Sequence, residues 1–135
     1  MKKTNNKGFS LVELIIVIAI MAILIGVLAP QYIKYVEKSR VSADKDLLDS
    51  VYSACTTAAS DPELTAPAAN ATVTTSITSG NSWGAEVLDT LGVTALSSVQ
   101  NKLKSKSVGG SSIVVTTDTK GNFTVKAGSL TVPEK

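Results

Sequence analysis

Twenty-one consecutive residues, Phe9 to Ala29, carry a single charge, that of Glu13. As a helix such a run spans about 31 Å, the thickness of a bilayer hydrocarbon core. Lys2, Lys3 and Lys7 precede it, and the positive-inside rule keeps that flank cytoplasmic and sends the remainder outward. A cleaved secretory signal would end its apolar stretch at small residues of the A-x-A kind. Here the run ends Val27-Leu28-Ala29-Pro30 and continues into helical sequence, so the segment is expected to be kept.

From Gln31 to Ala59 the pattern turns amphipathic. Ile33, Val36, Ala43, Leu47, Val51, Ala54 and Ala58 recur at helical steps, widened by Leu48, Tyr52, Cys55 and Ala59. Glu37, Lys38, Asp44, Lys45 and Asp49 take the other positions, as expected of one buried face. Joined to the apolar run, this predicts a helix of about fifty residues, roughly 75 Å long. The 76 residues after it cannot cover such a rod, so its apolar half must meet lipid or other copies of the chain. Ser60-Asp61-Pro62 ends the helix, since proline cannot continue the ladder.

The remainder, 60–135, reads as a small head. Thr72–Thr78 is β-prone, Gly80–Gly84 is a turn carrying Trp83, and Ala85–Leu91 and the Leu96, Val99, Leu103 spacing suggest two short helices. Ser112–Thr117, Asn122–Ala127 and Leu130–Val132 read as strands, with Phe123, Val125 and Ala127 alternating against Thr124 and Lys126. The fold class is α+β. So few residues make little core alone, and the head is expected to use the helix stripe to complete it.

Composition removes most catalytic readings. There is no histidine and one cysteine, which excludes an imidazole base, Cys/His metal sites and an intrachain disulfide. No phosphate loop or paired carboxylates appear, and Asp118 with Asn122 offers too few ligands for calcium. No catalytic residue, cofactor or metal is therefore expected. Beyond the first eight residues ten Lys and Arg face eleven Asp and Glu, and Lys102, Lys104 and Lys106 would not share a helix face, so no nucleic-acid partner is expected. Cys55 reads as a small buried apolar residue and Trp83 as a packing anchor. The Asn70-Ala71-Thr72 and Asn122-Phe123-Thr124 patterns read as chance. Pro30 removes a backbone donor and frees the carbonyl of Gly26, so two weak points of the helix coincide.

The residues Lys7-Gly8-Phe9-Ser10-Leu11-Val12-Glu13-Leu14 resemble the class III signal of type IV prepilins. The resemblance covers about residues 1–55. It implies a leader, 1–8, cut after Gly8 by a prepilin peptidase, and N-methylation of Phe9. It also implies a membrane or filament-core helix half, 9–30, an amphipathic half, 31–59, and the head, 60–135. In that family the Glu13 carboxylate meets the Phe9 amine of a neighbouring subunit, and Pro30 falls where many members carry a helix-kinking proline. The weak place from Gly26 to Pro30 then reads either as a simple bend at the membrane surface or as a site of local melting when subunits pack. A lone Cys55 cannot close the C-terminal disulfide of many Gram-negative pilins, so the likeness leans to pilins of Gram-positive anaerobes. An LPxTG-type sorting signal is absent. The implied function is a non-enzymatic pilus subunit, membrane-held first and extracellular after assembly. Its implied partners are copies of itself, the peptidase, a platform protein and an ATPase, and its implied roles are adhesion, motility or biofilm formation. A pseudopilin of a secretion or DNA-uptake system, and a membrane-anchored binding domain, are the alternatives.

Overall fold

A computed structural model describes residues 10–133; the leader, 1–8, and Phe9 lie outside them. One long helix, α1, runs from Leu11 to Ala59, 49 residues with Pro30 inside it. It ends where the sequence predicts, with Ser60 donating its N–H to the Thr56 carbonyl (3.1 Å) and Asp61 Oδ1 accepting from Glu63 N–H (2.9 Å). The chain divides into two compact units, Met1–Val36 and Glu37–Lys135.

In the first unit the described residues are all helix after Ser10, and every one from Leu11 to Tyr35 except Ala29 is exposed. The second unit has its own core. The buried face of its stretch of α1 is Asp44, Leu48, Val51, Ala54, Cys55 and Ala58. This stripe is rotated from the expected one: Ala43 is exposed, Leu47 half-buried and Asp44 buried. Ile33, in the first unit, is also exposed. The cause is a set of hydrogen bonds to the Asp44 carboxylate, described below, that makes an acid acceptable on the inner face.

Helix α2 spans Ser82–Leu91. Its N-cap is Asn81, whose side chain accepts from Gly84 N–H (3.0 Å). Trp83, expected in a turn, therefore sits in the first helical turn, where it is fully buried. Gly84 is required there: a Cβ would collide with the Ser76 carbonyl and Thr78 N–H. Helix α3 is Leu96–Gln100, and Leu103 lies beyond it.

Strands β1 (Ile113–Thr117), β2 (Phe123–Ala127) and β3 (Leu130–Val132) form one antiparallel sheet in that order. Val115 opposes Val125 and Val125 opposes Val132, so the buried side chains of all three strands share a face. Trp83 stacks on Phe123 against it, ring centroids 5.5 Å apart and planes within 10°. Gly128 closes the second hairpin with φ 60°, and a Cβ there would strike the Ser107 carbonyl.

Thr72–Thr78 forms no strand. A single bridge joins Thr72 to Thr116, and Thr74–Ser76 is a 3-10 turn. The competition comes from a side chain, since Thr74 Oγ1 accepts the Val115 N–H at 2.8 Å and takes a place that a backbone carbonyl would hold in a ladder. Around it Val73 N–H reaches the Val115 carbonyl and Thr117 N–H the Ala71 carbonyl, both at 2.8 Å. The architecture is thus α+β and type IV pilin-like: a long N-terminal apolar helix and a small three-stranded antiparallel sheet.

Candidate assembly site

The first turn of α1 carries a reciprocal cap. Ser10 accepts the first intrahelical bond, from Leu14 N–H to its carbonyl (3.1 Å). Its hydroxyl accepts Glu13 N–H at 3.2 Å, and Glu13 Oε2 accepts Ser10 N–H at 3.3 Å. Each side chain satisfies a donor that a helix start leaves unpaired, and the carboxylate lies at the positive end of the helix dipole. Sequence reading missed the serine's part, although Ser-x-x-Glu before an apolar run is its signature. Gly8 and Phe9, the expected cleavage and methylation positions, lie outside the described residues.

Beyond the cap the helix surface is continuously apolar. Leu11 is 73% exposed, Ile25 62% and Val27 65%, and among the described residues α1 is the one helix long and apolar enough to cross a membrane. At Gly26 the space where a Cβ would stand is open. Pro30, four residues on, has no N–H to offer the Gly26 carbonyl, yet the helix is unbroken there.

A second acidic cluster lies in the second unit and was unforeseen. Asp44 is 1% exposed. Its Oδ2 accepts Ser105 N–H at 2.7 Å, and Lys104 N–H is shared between Oδ1 (3.0 Å) and Oδ2 (3.1 Å). Burial pushes this carboxyl up, but the hydrogen bonds from Ser105 and Lys104 outweigh it and hold the pKa below the usual aspartate value. About two turns earlier on α1 and on the same side, Glu37 accepts Lys106 N–H at 2.9 and 3.2 Å. Two helix carboxylates thus clasp three successive backbone donors of the loop after α3. Lys102, Lys104 and Lys106 belong to this loop, with exposed side chains.

The remaining singled-out residues serve packing and turns. Cys55 is fully buried, and burial pushes its thiol up to about 12. Trp83 has a buried indole N–H with no acceptor among the described residues, so its contribution is packing. Asp118 Oδ1 accepts Asn122 N–H (2.9 Å) and Lys120 N–H (2.8 Å), which lowers its pKa, the Asn122 bond first. Both Asp118 and Asn122 are spent on the β1–β2 turn. Asn70 adopts φ 58° and donates its N–H to the Asp118 carbonyl (2.8 Å).

The capped apolar start coincides with a known family description, the prokaryotic N-terminal methylation motif, which matches residues 3–29. The type IV major pilin protein PilA of Myxococcus xanthus is 42% identical over 50 residues, 37% of this chain and 23% of that protein. The type IV major fimbrial protein FimA of Dichelobacter nodosus is 50% identical over 40 residues, 30% of this chain and 26% of that protein. The first third of the chain is type IV pilin-like. No solved structure matches the chain. The chain covers about a quarter of the length of these curated relatives, so the likeness belongs to the pilin-like segment and leaves the head to be read from its own geometry.

Proposed function

We propose that the chain is a structural subunit of a type IV pilus, made as a prepilin and polymerised through α1. The observation that carries this is the exposed apolar helix whose first turn holds Glu13 in a cap, within a matched methylation motif. A prepilin peptidase cuts between Gly8 and Phe9 and methylates the new amine. The subunit waits in the cytoplasmic membrane as a single span with its head outside. A platform protein and an ATPase then deliver it to the filament base.

Assembly on this reading replaces lipid by neighbouring helices on the surface from Leu11 to Leu28, and Glu13 receives the Phe9 amine of an adjacent subunit as water is excluded. Gly26 and Pro30 supply the helix's weak place, where the backbone yields as copies pack. The chain performs no catalysis and works by packing, outside the cell after assembly. The pseudopilin reading has less support, because the matched relatives are named major pilins and fimbrial proteins.

Mass spectrometry of sheared surface filaments tests the proposal. A chain beginning at methylated Phe9 is the expected result; a chain intact from Met1, or cut after Ala29, would refute it.

A further inference from the structure

The stretch between Glu13 and Lys34 contains no charged residue, twenty positions from Leu14 to Ile33, which as a helix is about 30 Å. Its far end is aromatic. Tyr32 is 69% exposed and Tyr35 65%, with Ile33 at 59% between them. Three residues apart on a continuous helix, the two phenols stand on one face, and Lys34 is the first cation beyond the apolar run. Tyrosine favours the headgroup layer, ring toward acyl chains and hydroxyl toward water, and a lysine stem reaches outward from the same depth.

Resting on the membrane reading above, we propose that Tyr32, Lys34 and Tyr35 are a headgroup anchor that sets the depth of α1 before assembly. The occupant of this surface is the phospholipid headgroup layer on the side away from the leader. The length of the charge-free stretch then puts the Ser10–Glu13 cap in the opposite headgroup layer. Glu13 waits at an interface with its carboxylate on Ser10 N–H, and does not cross the bilayer core alone.

This depth differs measurably from one set by the Phe9–Ala29 run. The twenty charge-free residues centre beside Leu24 and the run centres on Ala19, a difference of about 7 Å along the helix. Full-length chain carrying one of Leu14→Cys, Ala19→Cys, Leu24→Cys or Ile33→Cys is nitroxide-labelled in phosphatidylcholine–phosphatidylglycerol vesicles. Cys55, buried and with a raised pKa, stays unlabelled. Collision rates with oxygen and with a water-soluble nickel chelate give the depth of each label.

The label at position 24 should be deepest, with 14 and 33 equally shallow; a deepest label at 19 with 33 in bulk water overturns the proposal. In the same series Tyr32→Ala with Tyr35→Ala should move the deepest point at least three residues toward 19, and Tyr32→Trp with Tyr35→Trp should leave it in place. A depth unchanged by the alanines overturns the anchoring role. Labels that all remain in water would instead overturn the membrane reading itself, a separate and recognisable result.

Discussion

Removing the Asp44 carboxylate should cost the head much of its stability. Asp44→Ala deprives two backbone donors of a charged acceptor, and such hydrogen bonds contribute about 1.5–3 kcal/mol each. The Ser105 contact is short, 2.7 Å, and buried, which places it at the upper end. Lys104 N–H is shared between both oxygens at 3.0 and 3.1 Å in a residue whose side chain is exposed, which places it at the lower end. The expected loss is about 4 kcal/mol, or about 2 M in the urea midpoint of the chain from Gln31 to Lys135. Asp44→Asn keeps one acceptor and turns an amide N–H toward the other donor, for about 2 kcal/mol. Hydrogen exchange should show the amides of residues 104 and 105 losing protection first. The acid limb gives the sign. A folded pKa below the unfolded value contributes stability that is complete above about pH 4 and is lost as pH falls through the folded value. The wild-type midpoint should therefore fall steeply below pH 4, and that of Asp44→Asn less so. A change under about 0.5 kcal/mol for Asp44→Ala, with both amides still protected, would show that the loop holds without the carboxylate.

Cys55 should resist a thiol reagent at pH 8 at any rate faster than unfolding, and because its folded pKa is raised, the stability it contributes should be lost as pH rises from about 9 toward 12; labelling followed by mass measurement checks the first and urea midpoints the second. Gly84→Ala should lose about 3 kcal/mol through backbone collision with Ser76 and Thr78, against a much smaller loss for Gly80→Ala, where the space is nearly open; thermal melts compare the two. Glu13→Ala should leave cleavage after Gly8 intact yet cost about 3–5 kcal/mol in subunit addition, so processed subunit accumulates in membranes while filaments vanish from electron micrographs.

What could be read from sequence followed local physics. The helix end at Ser60-Asp61-Pro62 and the alternation of Phe123, Val125 and Ala127 rest on neighbours in the chain, and the structure reproduces both. Helical periodicity puts Asp44 on the outer face, because its partners are 60 and 61 residues away and no periodicity carries that information. Thr72–Thr78 misled for a related reason: β-branched residues signal an extended chain, but Thr74 gave its hydroxyl to Val115. The Ser10–Glu13 cap is legible in principle, because Ser-x-x-Glu before an apolar run depends only on neighbours in the chain.

The segment that failed to become a strand has a consequence for the proposed pilus subunit. Together with Ala71 just before it, which accepts from Thr117, it donates to and accepts from β1 through Val73 and Thr74 and so occupies an open sheet margin with irregular chain. The opposite margin is β3, only three residues long, followed by Pro133, which has no N–H to offer. Neither side presents a long row of vacant donors and acceptors on which another sheet could grow. In the filament proposed above, heads held side by side would thereby be denied amyloid-like cross-strand growth, and the choice of how copies join would be left to the helices.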